Sequence, residues 1–148
     1  GDIMAKDTII GSDKFKFKVI GNWEKLPAGF NWNETAGVIA DNNDDIYVFN
    51  RGNHPVIIFD RLGNFKSSWG EGLFTRPHGL TLAPDNTIFC ADDGDHTIRK
   101  CTIKGKVLMT LGTPGVAGVG PNHFNAPADV VVANNGDIFV ADGHANET

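Results

Sequence analysis

The chain has 148 residues, 41% hydrophobic and 21% charged, which suits one globular domain with a core and excludes a disordered tract. A formal net charge of -5 argues against a nucleic-acid partner, since phosphate binding needs a basic patch. No apolar run approaches the ~20 residues of a membrane helix, so no membrane partner is expected.

The opening stretch, GDIMAKD, shows no charged-then-apolar leader pattern, and the compartment stays open. DTII (Asp7 to Ile10) and FKFKVIGNW (Phe15 to Trp23) read as two strands. At the start of the second, Lys16 and Lys18, with Lys14 just before it, alternate with Phe15 and Phe17, as on a strand with one solvated face. DNNDD (Asp41 to Asp45) lacks the glycine and terminal glutamate of an EF-hand and reads as a hairpin turn.

The strongest signal is repetition. DIYVFN (Asp45 to Asn50), TIFCAD (Thr87 to Asp92) and DIFVAD (Asp137 to Asp142) are versions of one strand. Ile46 to Ile88 is 42 residues and Ile88 to Ile138 is 50, the surplus lying in the Gly- and Pro-rich insertion TPGVAGVGPNHFN. Ten residues before each isoleucine stand Ala36, His78 and Ala128, so one copy carries an imidazole where the others carry a methyl.

Turn chemistry at APDN, DDGDH and IKGK divides the second unit into four strands, near 79–83, 87–91, 97–101 and 106–111. No stretch has helical periodicity. Four strands on a period of 40 to 50 residues predict an all-β chain of β-propeller blades, with alternating Val, Ile and Phe filling the space between them.

The predicted organisation is one unit over residues 1–148. It has outer strands at 7–23, whole blades at 36–70 and 78–112, and inner strands at 128–142. The loose ends add up to one further blade, so about three blades are expected. Two copies close a six-bladed ring as a homodimer if each completes the other's split blade; the alternative is a fragment of a longer propeller.

For the two cysteines, pairing that sums to about 188 sets Cys90 opposite Ile98 and leaves Cys101 at the far end. That predicts two free, half-buried thiols and no disulfide.

The units resemble NHL repeats. LPAGFNWNETAGVIAD, FNRGNHPVIIFD, RPHGLTLAPDNTIFCADDGDHTIRK and PNHFNAPADVVVANNGDIFVADGHAN together resemble the first half of the six-bladed peptidyl-α-hydroxyglycine α-amidating lyase family, from about Trp23 to Asn146. The resemblance implies breakdown of a C-terminal hydroxyglycine to an amide and glyoxylate. It also implies a channel zinc on three histidines, an arginine, a tyrosine acting as base, and a structural calcium on backbone carbonyls.

Carried over by motif, His78 in PHGL is the expected zinc ligand and Arg51 in NRG the expected active-site arginine. The carbonyls of Val38 and Leu80 are the expected calcium ligands. Two departures stand out. His144 in DGHAN occupies the tyrosine position, and the other two zinc histidines have no counterpart in this sequence. A twofold dimer would set two copies of His78 on opposite blades, which does not rebuild the triad.

Each residue has a plainer reading. His78 is otherwise a solvated channel histidine. Arg51 is otherwise paired with a loop acid such as Asp93 or Asp95, and His144 is a base, a metal ligand or a loop residue. The cluster Asp92, Asp93, Asp95 and His96 has the look of a metal site, but such loops use these residues for turn hydrogen bonds and blade closure, and that reading is preferred. Two functions are therefore expected: a zinc-dependent lyase-like propeller with a peptide or small-molecule ligand in its channel, or a non-catalytic half-propeller that binds a peptide or protein at its channel mouth or loops and assembles as a homodimer.

Overall fold

The computed structural model describes residues 8–144. Asp7 and Asn146, at the two ends of the sequence-based assignment, lie outside them. In chain order the strands are β1 (Thr8–Ile10), β2 (Phe17–Val19), β3 (Thr35–Ala40), β4 (Ile46–Asn50), β5 (Val56–Phe59) and β6 (Phe65–Trp69). They continue as β7 (Pro77–Leu82), β8 (Ile88–Asp92), β9 (Thr97–Cys101), β10 (Val107–Leu111), β11 (Asp129–Val132) and β12 (Ile138–Ala141).

β3 to β6 form one antiparallel four-stranded sheet in sequence order, and β7 to β10 form a second. These are two propeller blades. β1 with β2, and β11 with β12, make separate two-stranded sheets. The sequence-based strand at 15–23 is shorter than expected, because Asp13–Phe15 winds into a 3-10 turn before β2 begins at Phe17.

Period-2 alternation decides which side chains meet between blades. From the first blade, Tyr47, Phe49, Val56 and Ile58 point one way and pack against Leu80, Ile88, Cys90 and Cys101 of the second. The alternate residues Val48, Ile57 and Phe59 point the other way, under Trp23, Leu26, Phe30 and Trp32. On the far side of the second blade, Phe89, Ala91 and Ile98 meet Val130, Val132, Ile138 and Val140 of the β11–β12 sheet. The other face of that sheet leaves Val131 and Phe139 exposed, and Ile9, Ile10, Phe17 and Val19 of β1 and β2 are exposed too.

A tryptophan locks successive units together. Trp69 ends β6, donates Nε1–H to the Ile103 carbonyl at 3.1 Å, and lies on Gly105 of the next blade's outer hairpin. A Cβ at Gly105 would sit 2.6 Å from the indole, and the residue has φ +94°, so glycine is required twice over. Trp23 repeats the arrangement on the first blade, donating to Arg61 at 2.9 Å beside Gly63.

The hairpin turns follow the sequence reading. Asp41 accepts from the N–H groups of Asn43 and Asp45 at 2.8 and 3.0 Å, closing the turn at DNNDD. The Asp41 carboxylate also accepts from the buried Tyr47 hydroxyl at 2.9 Å; burial first, and that carboxylate second, push the phenol's pKa well up.

The cysteine assignment needs correction on two points. In the β8–β9 hairpin Cys90 faces Arg99 and Cys101 faces Ile88, a pairing sum of 189. That one-residue slip puts both thiols on the same sheet face, diagonal to each other. Both are fully buried rather than half-buried, and both are free. Burial holds the Cys90 thiol protonated.

A candidate site at the mouth of the inner strands

Inner strands β3, β7 and β11 lie side by side, with β7 in the middle. The approach is close. A Cβ on Gly79 would come within 2.5 Å of the Ala128 carbonyl oxygen and of Asp129 Oδ1. Antiparallel pairing brings the start of an inner strand and the end of its neighbour to the same end of a blade; Pro77 pairs with Asp92. Side chains that begin β7 and follow β4, β8 and β12 therefore gather at one mouth.

Arg51 and Asp93 occupy the same place in successive units, each one residue past the second strand. The Arg51 backbone N–H donates to Asn33 at 2.7 Å, and that of Asp93 donates to Arg76 at 3.2 Å. The Arg51 Nε–H donates to the Pro77 carbonyl at 2.9 Å, which ties its guanidinium to the backbone just before His78. Its Nη1 pairs with Glu34, an exposed acid just before β3. The plain reading of Arg51 anticipated Asp93 or Asp95 as its acid. Instead Asp93 pairs with Arg76 at 2.7 Å and Asp95 with Arg99 at 2.6 Å, because each loop acid takes the nearest arginine of its own unit.

His78, second residue of β7, is half-buried. His144, three residues past β12, is exposed and lies edge-on to it, with ring centroids 4.8 Å apart. The backbone N–H of His144 donates to Ala126 at 3.1 Å, which fixes the loop there. Asp93 completes the group: one ring nitrogen from each histidine and one Asp93 carboxylate oxygen lie within 4.8 Å of one another. Asp93 is the residue that sequence reasoning passed over, because it was absorbed into the turn cluster. Its neighbour Asp92 does serve the turn, accepting from the N–H groups of Thr75, Arg76, Gly94 and Asp95.

Val38 and Leu80 hold equivalent positions on β3 and β7, Val38 exposed and Leu80 buried. The remaining described histidines are engaged structurally. His54 stacks on Phe30 at 3.7 Å and meets Glu71, His96 Nδ1 accepts from the Ala126 N–H, and His123 contacts the Pro121 carbonyl.

No protein-family model matches the chain. Individual proteins do. It is 41% identical over 105 residues to a probable peptidyl-alpha-hydroxyglycine alpha-amidating lyase of Caenorhabditis elegans, covering 70% of this chain and 29% of the worm protein. It is 28% identical over 143 residues to human NHL repeat-containing protein 3, covering 89% of this chain and 41% of that one. The blades are of the NHL-repeat type, and the chain resembles the amidating lyases. It spans less than half the length of either relative. A solved Bacteroides caccae protein of unknown function shares the fold, with TM-score 0.57 at 15% identity over 96% of this chain and 51% of its own.

Among the described residues of this NHL-type chain, then, the expected zinc ligand His78 and the expected arginine Arg51 share one mouth with His144. Zinc, which the lyase resemblance implies, suits the donors present there. Two imidazoles and a carboxylate are its ordinary ligands, and one buried oxygen of Asp93 has no hydrogen-bond partner among the described residues.

Proposed function

We propose that the chain is a lyase-like NHL propeller whose mouth binds a peptide by its terminal carboxylate and acts on a C-terminal α-hydroxyglycine or related carbinolamide. The observation that carries this reading is the hydrogen bond from Arg51 Nε to the Pro77 carbonyl. It ties the guanidinium to the residue before His78 and leaves its terminal nitrogens to a carboxylate. A carboxylate already sits there: Glu34. Its side chain is 65% exposed, so it can swing aside for a ligand carboxylate that takes the fork in two parallel bonds.

The reaction breaks the bond between the amide nitrogen and the hydroxylated carbon. The hydroxyl proton leaves, its O–H electrons form the aldehyde of glyoxylate, and the departing amide nitrogen takes up a proton. Arg51 would hold the carboxylate through this change. His144 is within reach of the same ligand, as proton acceptor or as donor to a metal. Zinc bound at His78 would polarise the substrate oxygen. A structural calcium on the carbonyls of Val38 and Leu80 remains part of the same proposal, at the close approach of β3 and β7.

The second reading is a non-catalytic binding module that assembles as a homodimer, and its assembly is suggested by the apolar faces of the two-stranded sheets. β1–β2 and β11–β12 each hold half the strands of a blade and expose apolar side chains, so a second copy of the chain can complete both in a homodimer.

The test is calorimetric titration with a carboxylate-terminated peptide and its amidated twin. The unaltered chain should prefer the carboxylate. Arg51→Lys should lose about tenfold or more of that preference, the equivalent of ~1.4 kcal/mol, because an ammonium cannot form the fork. Glu34→Gln should raise carboxylate affinity by removing the internal competitor. Equal affinity of the unaltered and Arg51→Lys chains for the carboxylate peptide would reject the clamp.

A further inference from the structure

Asp93 has an unusual environment for a carboxylate. Its side chain is 1% exposed. Oδ2 accepts from Arg76 Nη1 at 2.7 Å, while Oδ1 is buried and has no hydrogen-bond partner among the described residues. A bare buried carboxylate oxygen is costly, and native structures supply such an atom with a donor or a cation. The groups that share its space are the ring nitrogens of His78 and His144, which at neutral charge offer lone pairs.

We infer that His78, Asp93 and His144 form a zinc site contained within this one chain. The donor set is two imidazole nitrogens and one carboxylate oxygen, with a fourth position open to water or a ligand oxygen. Nitrogen donors at two of three places disfavour calcium and magnesium, which take oxygen. Two ligands on a tetrahedral zinc stand roughly 3.3 Å apart, given zinc–ligand distances near 2.0–2.1 Å. A set within 4.8 Å of one another needs only a small contraction, which rotation of the exposed His144 side chain can supply while its backbone stays bonded to Ala126. Arg76 holds the second carboxylate oxygen and orients Asp93, as outer hydrogen bonds commonly do for metal ligands.

The inference departs from what the lyase resemblance implies. There the three ligands are histidines from alternate blades. Here they come from β7 and from the loops after β8 and β12, all on neighbouring units. His144 becomes a ligand rather than a base, and no second copy is needed to complete the set. The site rests on its own geometry and stands whether or not the lyase reading does.

The experiment measures metal, not turnover. The purified chain is stripped with chelator and titrated with Zn²⁺, then with Co²⁺, whose visible spectrum reports coordination. One ion per chain is expected, with the intense four-coordinate cobalt bands. Loss of a group that merely orients a ligand costs about 10–100-fold in affinity, so loss of a ligand should cost ~100-fold or more. That is the expectation for His78→Ala, Asp93→Asn and His144→Ala.

Because Asp93 is buried, its variant could also disturb the blade. His144→Ala, on an exposed loop, carries the test with the fold intact, checked by far-UV circular dichroism. Zinc bound with unchanged affinity by His144→Ala, or no zinc bound by the unaltered chain, would overturn the site. Zinc bound as expected without glyoxylate release would leave the site standing and remove the lyase reading alone.

Discussion

Replacing Asp92 by alanine is expected to destabilise the second blade by about 4 kcal/mol, enough to move a urea midpoint by roughly 2 M. Asp92 is fully buried at the end of β8. Its Oδ2 accepts from Thr75 N–H at 2.7 Å, and its Oδ1 from those of Arg76, Gly94 and Asp95 at 2.9, 3.1 and 2.9 Å. The carboxylate thus ties the loop entering β7 to the turn leaving β8. Alanine leaves four part-buried N–H donors without their shared acceptor, and the Arg99 guanidinium, 3.8 Å away, loses a counter-charge.

Asp92→Asn should cost less, because Asn50 fills the same place in the first blade. There Oδ1 accepts from Gly52 and Nδ2 donates to the His54 carbonyl. A midpoint for Asp92→Ala within about 0.3 M of the unaltered chain would show that the loop finds other acceptors.

Trp69→Ala should cost about 3–5 kcal/mol, the range for deleting a large buried aromatic side chain. The indole is 8% exposed, lies between Phe74 and Gly105, and bonds the next blade through the Ile103 carbonyl. Gly105 is held at positive φ whatever replaces the ring, so the loop cannot collapse easily onto the gap. Trp69→Phe should recover most of the loss but not the hydrogen bond. If thermal or urea unfolding shows Trp69→Ala and Trp69→Phe equally stable, the indole is not the lock between blades.

How much of this could be read beforehand is clearest in the second unit. The 42-residue spacing from Ile46 to Ile88 put His78 at the head of an inner strand and Arg51 just past a strand end, and both are there. That follows because blade geometry repeats with the chain, so a residue's place in the repeat fixes its place at the mouth. Hairpin register was less legible. The β8–β9 turn holds His96 at φ +62°, and the pairing across it sums to 189, one residue from the sequence-based register. The slip moves Cys101 onto the face of Cys90 and buries both.

Arg51's acid was also out of reach. Glu34 stands just before β3 and Arg51 just after β4, and the register that pairs Thr35 with Asn50 brings the two together. Asp93 was hidden for the opposite reason. It sits in a run of acids that mostly serve the turn, and nothing local separates it from Asp92. Its link to His144, 51 residues on, exists only once β11 packs beside β7.

The most direct measurement of the functional account is glyoxylate formed from a peptidyl-α-hydroxyglycine by the zinc-supplemented chain, followed against the spontaneous reaction. The account predicts release that is proportional to protein, and loses it in Arg51→Lys while the fold persists. Glyoxylate at the spontaneous rate, from a zinc-loaded chain that still binds the carboxylate-terminated peptide, would contradict it and leave a binding propeller in its place.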